Sequence, residues 1–172
     1  MLNSDKKYFI STYIKGMNID DFIFEIKQNM AIEKWQILQL EEIGGALAEI
    51  NLNLNIVHGD TAPSNWIKSN STKDLFLCDW ETAGCGDPAW DLAHLIYEIA
   101  AKFDDEMESV RLFEKILNSI IKGYKSIGKT EKISQRFPEY WTTHAFSVSP
   151  IIHERIFQRL GRTQSRKFKL LR

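Results

Sequence analysis

IVHGDTAPSNWIKSNSTKDLFLCDWETAGCGDPAWDLAHL, residues 56–95, is the stretch from which the fold of the chain is inferred. A short loop in it contains His58, Asp60 and Asn65, and a hairpin then brings the chain back to Asp79. Side chains at positions 60, 65 and 79 cannot lie together on one helix or strand, but they can converge where neighbouring strands end in loops. Carboxylate and amide oxygens suit a hard cation such as magnesium, which usually also holds substrate phosphates. The stretch therefore predicts a cation site at the tips of adjacent strands.

The composition is that of one globular domain. The chain has 172 residues, of which 44% are hydrophobic and 26% charged, and this is long enough for a substantial core. A formal net charge of −1 gives no general attraction to nucleic acid or membranes, and no apolar stretch has the length of a membrane span. The first residues lack the pattern of a secretory signal. Cys78 and Cys85 have no CxxC spacing, so we interpret them as reduced thiols of a cytoplasmic protein.

The periodicity of apolar residues predicts an α+β fold that is mostly helical. Tyr8–Ile14 is typical of a strand that ends at Gly16, Ile56-Val57 of a short buried strand, and 65–68 with 75–79 of a hairpin. Apolar residues at helical spacing predict helices over residues 19–28, 31–51, 87–102 and 104–128, with two shorter ones starting at Pro138 and Pro150. The pair Gly44-Gly45 within the second of these favours a crowded crossing with another helix.

The spacing His58-x-Asp60-x-x-x-x-Asn65 matches the catalytic loop of kinases, and Asp79 stands where the second metal-binding aspartate of that pattern belongs. The strings HGDTAPSN, LCDWETAGCGDP and DLAHL resemble the aminoglycoside phosphotransferase and choline kinase-like family, a branch of the protein-kinase-like fold. The chain is similar to the C-terminal lobe of that fold, with a short hinge strand and a small β-hairpin beside the catalytic loop. The resemblance implies a hinge strand region at residues 1–16 and one helical catalytic lobe at residues 17–172.

The resemblance also implies a reaction and a role for each site residue. The reaction would be ATP-dependent transfer of the γ-phosphoryl group to a hydroxyl of a small-molecule alcohol, with ATP and Mg²⁺ as cofactors. Asp60 would orient the acceptor hydroxyl and take its proton, while His58 would brace the loop. Asn65 and Asp79 would bind magnesium, and Asp91 would hold the backbone of the loop from the helix below.

The hinge strand would contact adenine through backbone groups of Ser11, Thr12 and Tyr13. A complete enzyme of this family has an N-terminal lobe before the hinge, with a loop over the phosphates and a strand lysine. No glycine precedes Gly16, and the lysines at 6 and 7 lie too close to the hinge for that role. We therefore expect that lobe to be absent here, so that the exposed hinge face would be covered by a separate N-terminal lobe or by a second copy. Weak magnesium–nucleotide binding is then expected of the isolated chain.

Two other functions compete with this interpretation. One is a non-catalytic remnant, or half of a split enzyme, that acts as a binding module. The other is a metal-dependent hydrolase built on His58, Asp60 and Asp79, although such sites usually need several histidines. His94 has no metal-ligand spacing to the other histidines, and we interpret it as structural. The substrate, the oligomeric state and the role of the basic tail that starts at Arg155 stay open at this stage.

Overall fold

In a computed structural model of the chain, residues 13–128, 136–141 and 150–160 are described, with side chains up to residue 156. Three short strands form one antiparallel sheet in the order β1-β2-β3: β1 Gly16–Asn18, β2 Trp66–Ser69 and β3 Leu75–Leu77. The helices are α1 Ile19–Asn29, α2 Lys34–Ala48, α3 Pro88–Ala100, α4 Met107–Ile127, α5 at residues 136–141 and α6 Pro150–Leu160. The described part is thus mostly helical with a small sheet, which confirms the α+β class.

Helix α1 starts where the sequence predicts it. The Asn18 side chain accepts a hydrogen bond from the backbone N–H of Asp20 at 2.6 Å, which satisfies one of the free donors of the first turn. The apolar residues of α1 recur at intervals of three and four, so they share one face, and all are fully buried: Ile19, Phe22, Ile23 and Ile26. The helix ends at Met30, whose backbone is left-handed with φ 48°.

Helices α2 and α4 cross in backbone contact at two glycines. A Cβ atom on Gly44 would overlap the carbonyl oxygen of Ile120, and one on Gly123 would overlap that of Glu41. A Cβ on Gly45 would instead lie 3.7 Å from the nearest atom, which is an ordinary contact. The crowded crossing predicted for the glycine pair is therefore confirmed, and α2 continues through both glycines.

Helix α3 positions the candidate site, and its start is encoded locally. The Asp87 side chain accepts from the N–H of Ala89 at 3.0 Å, and Pro88 is the first helical residue, where its missing N–H has no cost. The helix packs its apolar face into a core shared with α1, α2 and α4, through Leu92, Ala93, Leu95, Ile96 and Ile99. Because α3 is fixed by this core, the polar residues on its other face are held in place.

Some of the predicted secondary structure needs correction, and part of it lies outside the described residues. Residues 8–12 of the predicted strand Tyr8–Ile14 are not described, Tyr13 and Ile14 are not in a strand, and Gly16 begins a strand where we expected one to end. Ile56-Val57 forms only a single bridge, from Val57 to Gly84, because the chain turns at once into the loop. Trp35 and Leu38 of α2 are exposed, because they precede the buried Leu47 by 12 and nine residues and so lie about 120° and about 180° from it around the helix.

The boundary predicted between residues 16 and 17 falls inside β1, which pairs with β2. The assignment to a C-terminal lobe and the domain limits stay predictions. Within the described ranges, none of the helices combines the length and the apolar character that crossing a bilayer demands.

Candidate active site

The carboxylate of Asp91 is the anchor of the loop that starts at His58. Asp91 is fully buried in α3, and its two oxygens accept from the backbone N–H groups of His58 at 2.8 Å and Gly59 at 2.9 Å. A third donor is the side-chain amide of Asn51, at 2.7 Å. A buried charge is tolerated only when hydrogen bonds replace its lost hydration, and these three donors meet that need. Asp91 is thus hydrogen-bonded to the backbone at the start of the loop.

Every backbone polar group of residues 58–61 bonds to a side chain. The N–H groups of His58 and Gly59 both donate to Asp91. That of Asp60 donates to His58 Nδ1, and that of Thr61 donates to His94 Nδ1. The carbonyl of His58 accepts from Thr82 Oγ1, and that of Gly59 accepts from Trp90 Nε1. The carbonyl of Asp60 accepts from Asn65 Nδ2, and that of Thr61 accepts from Trp66 Nε1. Gly59 adopts φ +89°, a left-handed conformation, and a side chain there would also meet Thr82. The loop is an irregular segment whose shape is set by the side chains around it.

His58 lies inside this loop as a brace. Its ring is fully buried; Nε2 lies 2.9 Å from the carbonyl oxygen of Cys78, and Nδ1 accepts from the N–H of Asp60 at 3.3 Å. Because a carbonyl oxygen can only accept, Nε2 must carry the proton and Nδ1 the lone pair. Trp80 packs edge-on against the ring, with centroids 4.6 Å apart. Both nitrogens are thus engaged with the backbone, which removes His58 as a metal ligand and with it the basis of the hydrolase alternative.

The backbone of Cys78 joins the three predicted segments. Its N–H donates to the carbonyl oxygen of Asn65 at 2.8 Å, which extends the pairing of β2 with β3, and its carbonyl accepts from His58. Asp79 follows directly, is exposed, and adopts a left-handed backbone with φ 64° and ψ 60°. A non-glycine residue in this region is uncommon and often marks a functional site. The structure therefore brings the backbones of Asn65, Asp79 and the His58–Asp60 segment side by side.

Asp60 is the acidic residue of the loop, and its side chain is partly accessible to solvent. Its side chain is 43% exposed, and Oδ1 accepts from the N–H of Ala62 at 3.3 Å. The amide nitrogen of Asn65 donates to the Asp60 carbonyl at 3.0 Å, which leaves the Asn65 amide oxygen as the atom that would face a cation. Across residues 13–128, 136–141 and 150–160, no group of three or more His, Cys, Asp or Glu residues is arranged to hold a metal. The available donor set is one carboxylate and one amide oxygen. This fits magnesium, since that ion usually takes few protein ligands and completes its shell with water and phosphate oxygens.

The predicted adenine contacts are mostly outside the described residues. Ser11 and Thr12 lie in the part that is not described, and the side chain of Tyr13 is 87% exposed. Exposed apolar side chains also occur nearby on β1 and α1, at Met17 and Phe24. The predicted partner over this face stays a prediction.

Several residues that support the loop were not identified from the sequence. Asn51 donates to Asp91 and to the Ile56 carbonyl, and it accepts from the hydroxyl of Tyr124 at 3.2 Å. Burial raises the pKa of Tyr124, and the negative charges of Asp91 and Asp87 raise it further, so the hydroxyl stays a donor. One signal was available, because His94 and Trp90 lie three residues after and one before Asp91, on the same turn of a helix. The sequence contained no comparable signal for Asn51, because it bonds to residues that are far away along the chain.

Helix α5 contacts the same turn of α3. Arg136 Nε lies 2.9 Å from an oxygen of Asp87, and the ring of Tyr140 packs edge-on against Trp90 at 5.6 Å. Burial and the nearby Asp87 charge raise the pKa of Tyr140. Because Trp90 in turn donates to the Gly59 carbonyl at 3.0 Å, α5 is connected to the loop through one side chain.

Residues 24–114, just over half of the chain, match the phosphotransferase enzyme family (APH). The chain belongs to this family, and the match includes Asp60, Asn65, Asp79 and Asp91. Choline kinase B1 of Caenorhabditis elegans is 31% identical over 110 residues, which is 63% of this chain and 26% of that protein. The similarity to an aminoglycoside phosphotransferase and choline kinase-like family, predicted from the motifs, is therefore confirmed. The matched stretch spans about a quarter of the choline kinase.

Proposed function

We propose that this chain supplies the catalytic, C-terminal lobe of an ATP-dependent phosphotransferase that transfers the γ-phosphoryl group to a hydroxyl of a small molecule. The observation that supports the proposal most is a pair of backbone hydrogen bonds at Cys78. Its N–H donates to the Asn65 carbonyl and its carbonyl accepts from His58, so the backbone of the next residue, Asp79, lies beside Asn65 and the His58–Asp60 loop. Membership of a phosphotransferase family supports the class of reaction.

Asp60 is the proton acceptor in this proposal. Its exposure leaves the carboxylate accessible to a substrate, while its Oδ1 is already bonded to the N–H of Ala62. We assign Oδ2 to the acceptor hydroxyl: as the hydroxyl oxygen bonds to the γ-phosphorus and the bond from that phosphorus to the β–γ bridging oxygen breaks to release ADP, the hydroxyl proton passes to Oδ2. A positioned general base of this kind contributes a factor of about 10² to 10⁴ in rate. The side-chain hydrogen bonds around residues 58–61 keep Asp60 in position before the substrate arrives.

Asn65 and Asp79 are the residues that would hold magnesium. Bound there with ATP, the ion would neutralise negative charge on the phosphates, which is the main requirement of phosphoryl transfer. Asn65 contributes an amide oxygen fixed by its donation to Asp60, and Asp79 contributes an exposed carboxylate at a strained backbone position. With so few protein ligands, metal affinity should depend on the nucleotide.

Isothermal titration calorimetry tests the proposal without knowledge of the acceptor. We expect the chain to bind ATP with magnesium more tightly than ATP with EDTA. Asp79→Asn should abolish the magnesium-dependent part, whereas Asp105→Asn, at an exposed loop residue far along the chain from the site, should leave it unchanged. Equal affinity for ATP with and without magnesium in the unchanged chain would contradict the assignment of Asn65 and Asp79.

A non-catalytic binding module is the second candidate, because the stretch matched to the choline kinase covers only 26% of that protein. The two candidates differ in turnover. Slow hydrolysis of ATP, in which water replaces the acceptor, is expected of a phosphotransferase and should be lost in Asp60→Asn. Magnesium-dependent ATP binding with a hydrolysis rate that is identical in the unchanged chain and in Asp60→Asn would favour the binding module.

A further inference from the structure

We propose that His94 is a positioning residue for Asp60, acting through its Nδ1 as the hydrogen-bond acceptor of the Thr61 N–H. This inference rests on the proposed function, because it gives Asp60 the role of proton acceptor. His94 lies inside the family match and within the string DLAHL, but the resemblance assigns a role to Asp91 of that string and none to His94.

His94 faces the loop because of its position on α3. It follows Asp91 by three residues, so both side chains project from the same face of the helix, one turn apart. Asp91 holds His58 and Gly59, and His94 holds Thr61 with its Nδ1 3.1 Å from the backbone nitrogen. Together they fix the segment on both sides of Asp60.

The Thr61 N–H needs this acceptor. Thr61 is fully buried, and its hydroxyl is already committed to the backbone carbonyl of Asp91 at 2.7 Å. A buried N–H that loses its partner has no water to replace it. Without His94, the peptide between Asp60 and Thr61 would therefore rotate to find another acceptor, and the Asp60 carboxylate would move with it.

The contacts of the ring define which nitrogen carries the proton. Nδ1 can accept from Thr61 only when it is unprotonated, so the proton must be on Nε2. Glu98 lies one turn further along α3, with Oε1 3.8 Å from Nε2, and its charge favours a proton on that side. The Asp60 Oδ1 lies 3.6 Å from Nδ1, which is beyond hydrogen-bond distance. We therefore assign the Nε2–H tautomer, with Thr61 as the partner of Nδ1.

His94 should affect the proposed proton acceptor, Asp60, more than the proposed magnesium ligands, Asn65 and Asp79. Asn65 and Asp79 have no hydrogen bond to His94 among the described contacts, whereas Asp60 is adjacent to the residue that His94 holds. Loss of the acceptor should consequently lower the turnover number and leave the Michaelis constant for magnesium–ATP nearly unchanged. A residue that only stabilised the fold would not separate these two constants.

Two substitutions test the role. His94→Asn keeps an acceptor, because the asparagine Oδ1 occupies nearly the position of Nδ1, and His94→Leu removes it while keeping a side chain of moderate size. We expect hydrogen exchange of the Thr61 amide, measured by NMR, to become at least about 10-fold faster in His94→Leu, which corresponds to the cost of one buried hydrogen bond. The turnover number for ATP hydrolysis should fall by a similar factor at constant Michaelis constant, and His94→Asn should restore both quantities to within about 3-fold.

The Thr61 exchange and the ring tautomer are independent of activity. Nitrogen-15 chemical shifts of the neutral His94 ring should show the Nε2–H tautomer. An Nδ1–H tautomer, an unchanged Thr61 exchange rate in His94→Leu, or equal turnover in all three proteins would each overturn the inference. Absence of magnesium-dependent ATP binding by the unchanged chain would contradict the proposed function, whereas the Thr61 exchange rates and the ring tautomer decide separately whether His94 holds the loop.

Discussion

The carboxylate of Asp91 lies 2.9 Å from the backbone nitrogen of Gly59, the residue that immediately precedes Asp60. A substitution of Asp91 on α3 is therefore expected to change the conformation of the loop, because this hydrogen bond is lost or weakened. Asp91→Asn replaces one carboxylate oxygen, a hydrogen-bond acceptor, by an NH₂ group, which is a donor. At least one of the three N–H groups that donate to Asp91 is then left without an acceptor. We expect urea unfolding to show a loss of about 2–4 kcal/mol, the range for a buried charged hydrogen-bond acceptor. The exposed substitution Asp105→Asn is the control, and equal stability of the two variants would contradict the anchoring role.

Asp60→Asn should separate chemistry from folding. The asparagine keeps the size of the side chain and an oxygen for the Ala62 N–H, but it cannot take a proton from the acceptor. We expect magnesium–ATP binding and thermal unfolding close to those of the unchanged chain, with turnover lower by a factor of about 10² or more. A variant that retains most of the turnover rate would show that Asp60 is not the base.

The two neighbouring glycines of α2 should respond in opposite directions to alanine. Gly44→Ala forces a methyl group into the Ile120 carbonyl, so α2 and α4 must separate, and we expect a loss of at least about 3 kcal/mol from lost core packing. Gly45→Ala has room and lies inside a helix, where alanine is better than glycine by about 0.5–1 kcal/mol. Chemical denaturation of both variants measures the difference. Similar effects at the two positions would show that the helices do not approach as closely as described.

Asp79 and Lys73 both have φ 64°, and this shared conformation provides a matched pair. Glycine adopts it without strain but also increases the entropy of the unfolded chain, so each substitution to glycine should change stability by no more than about 1 kcal/mol. Only Asp79→Gly should abolish the magnesium-dependent part of ATP binding. Calorimetry on the two variants distinguishes a ligand at position 79 from a residue that merely shapes the turn.

The partial burial of His153, in α6, is expected to make the stability of the protein depend on pH. Burial lowers the pKa of this side chain in the folded protein. The unfolded chain, with an ordinary histidine pKa of about 6.5, therefore takes up the proton first as the pH falls. The stabilisation is fully present above that value and is lost progressively as the pH falls towards the lower folded-state pKa. His153→Gln should flatten the slope of unfolding free energy against pH in this window, and an unchanged slope would contradict the assignment.

The site motif could be predicted because its spacing is local. His58, Asp60 and Asn65 lie within eight residues, and a single hairpin brings Asp79 back to them, so the sequence contains the information directly. The contacts that hold the loop are different in kind. Tyr124 reaches Asn51 across 73 positions, and no periodic pattern along the chain encodes such a pair.

The helices were predicted well where an apolar stripe and a cap coincide, as in α1 and α3. In α2, the apolar residues Trp35 and Leu38 helped to predict the helix but are exposed, because they lie on a different side of it from the buried Leu47. Short strands were the least predictable elements, because Gly16–Asn18 owes its conformation to pairing with β2 and not to its own residues.

The side-chain hydrogen bonds around residues 58–61 limit how this candidate site segment can be transplanted. A designer who copied only HGDTAPSN into a new scaffold would copy the residues of the loop without Thr82, Trp90, Asp91 and His94, which give the segment its shape. The smallest portable unit is therefore the loop together with one turn of α3 and the short turn after Asp79.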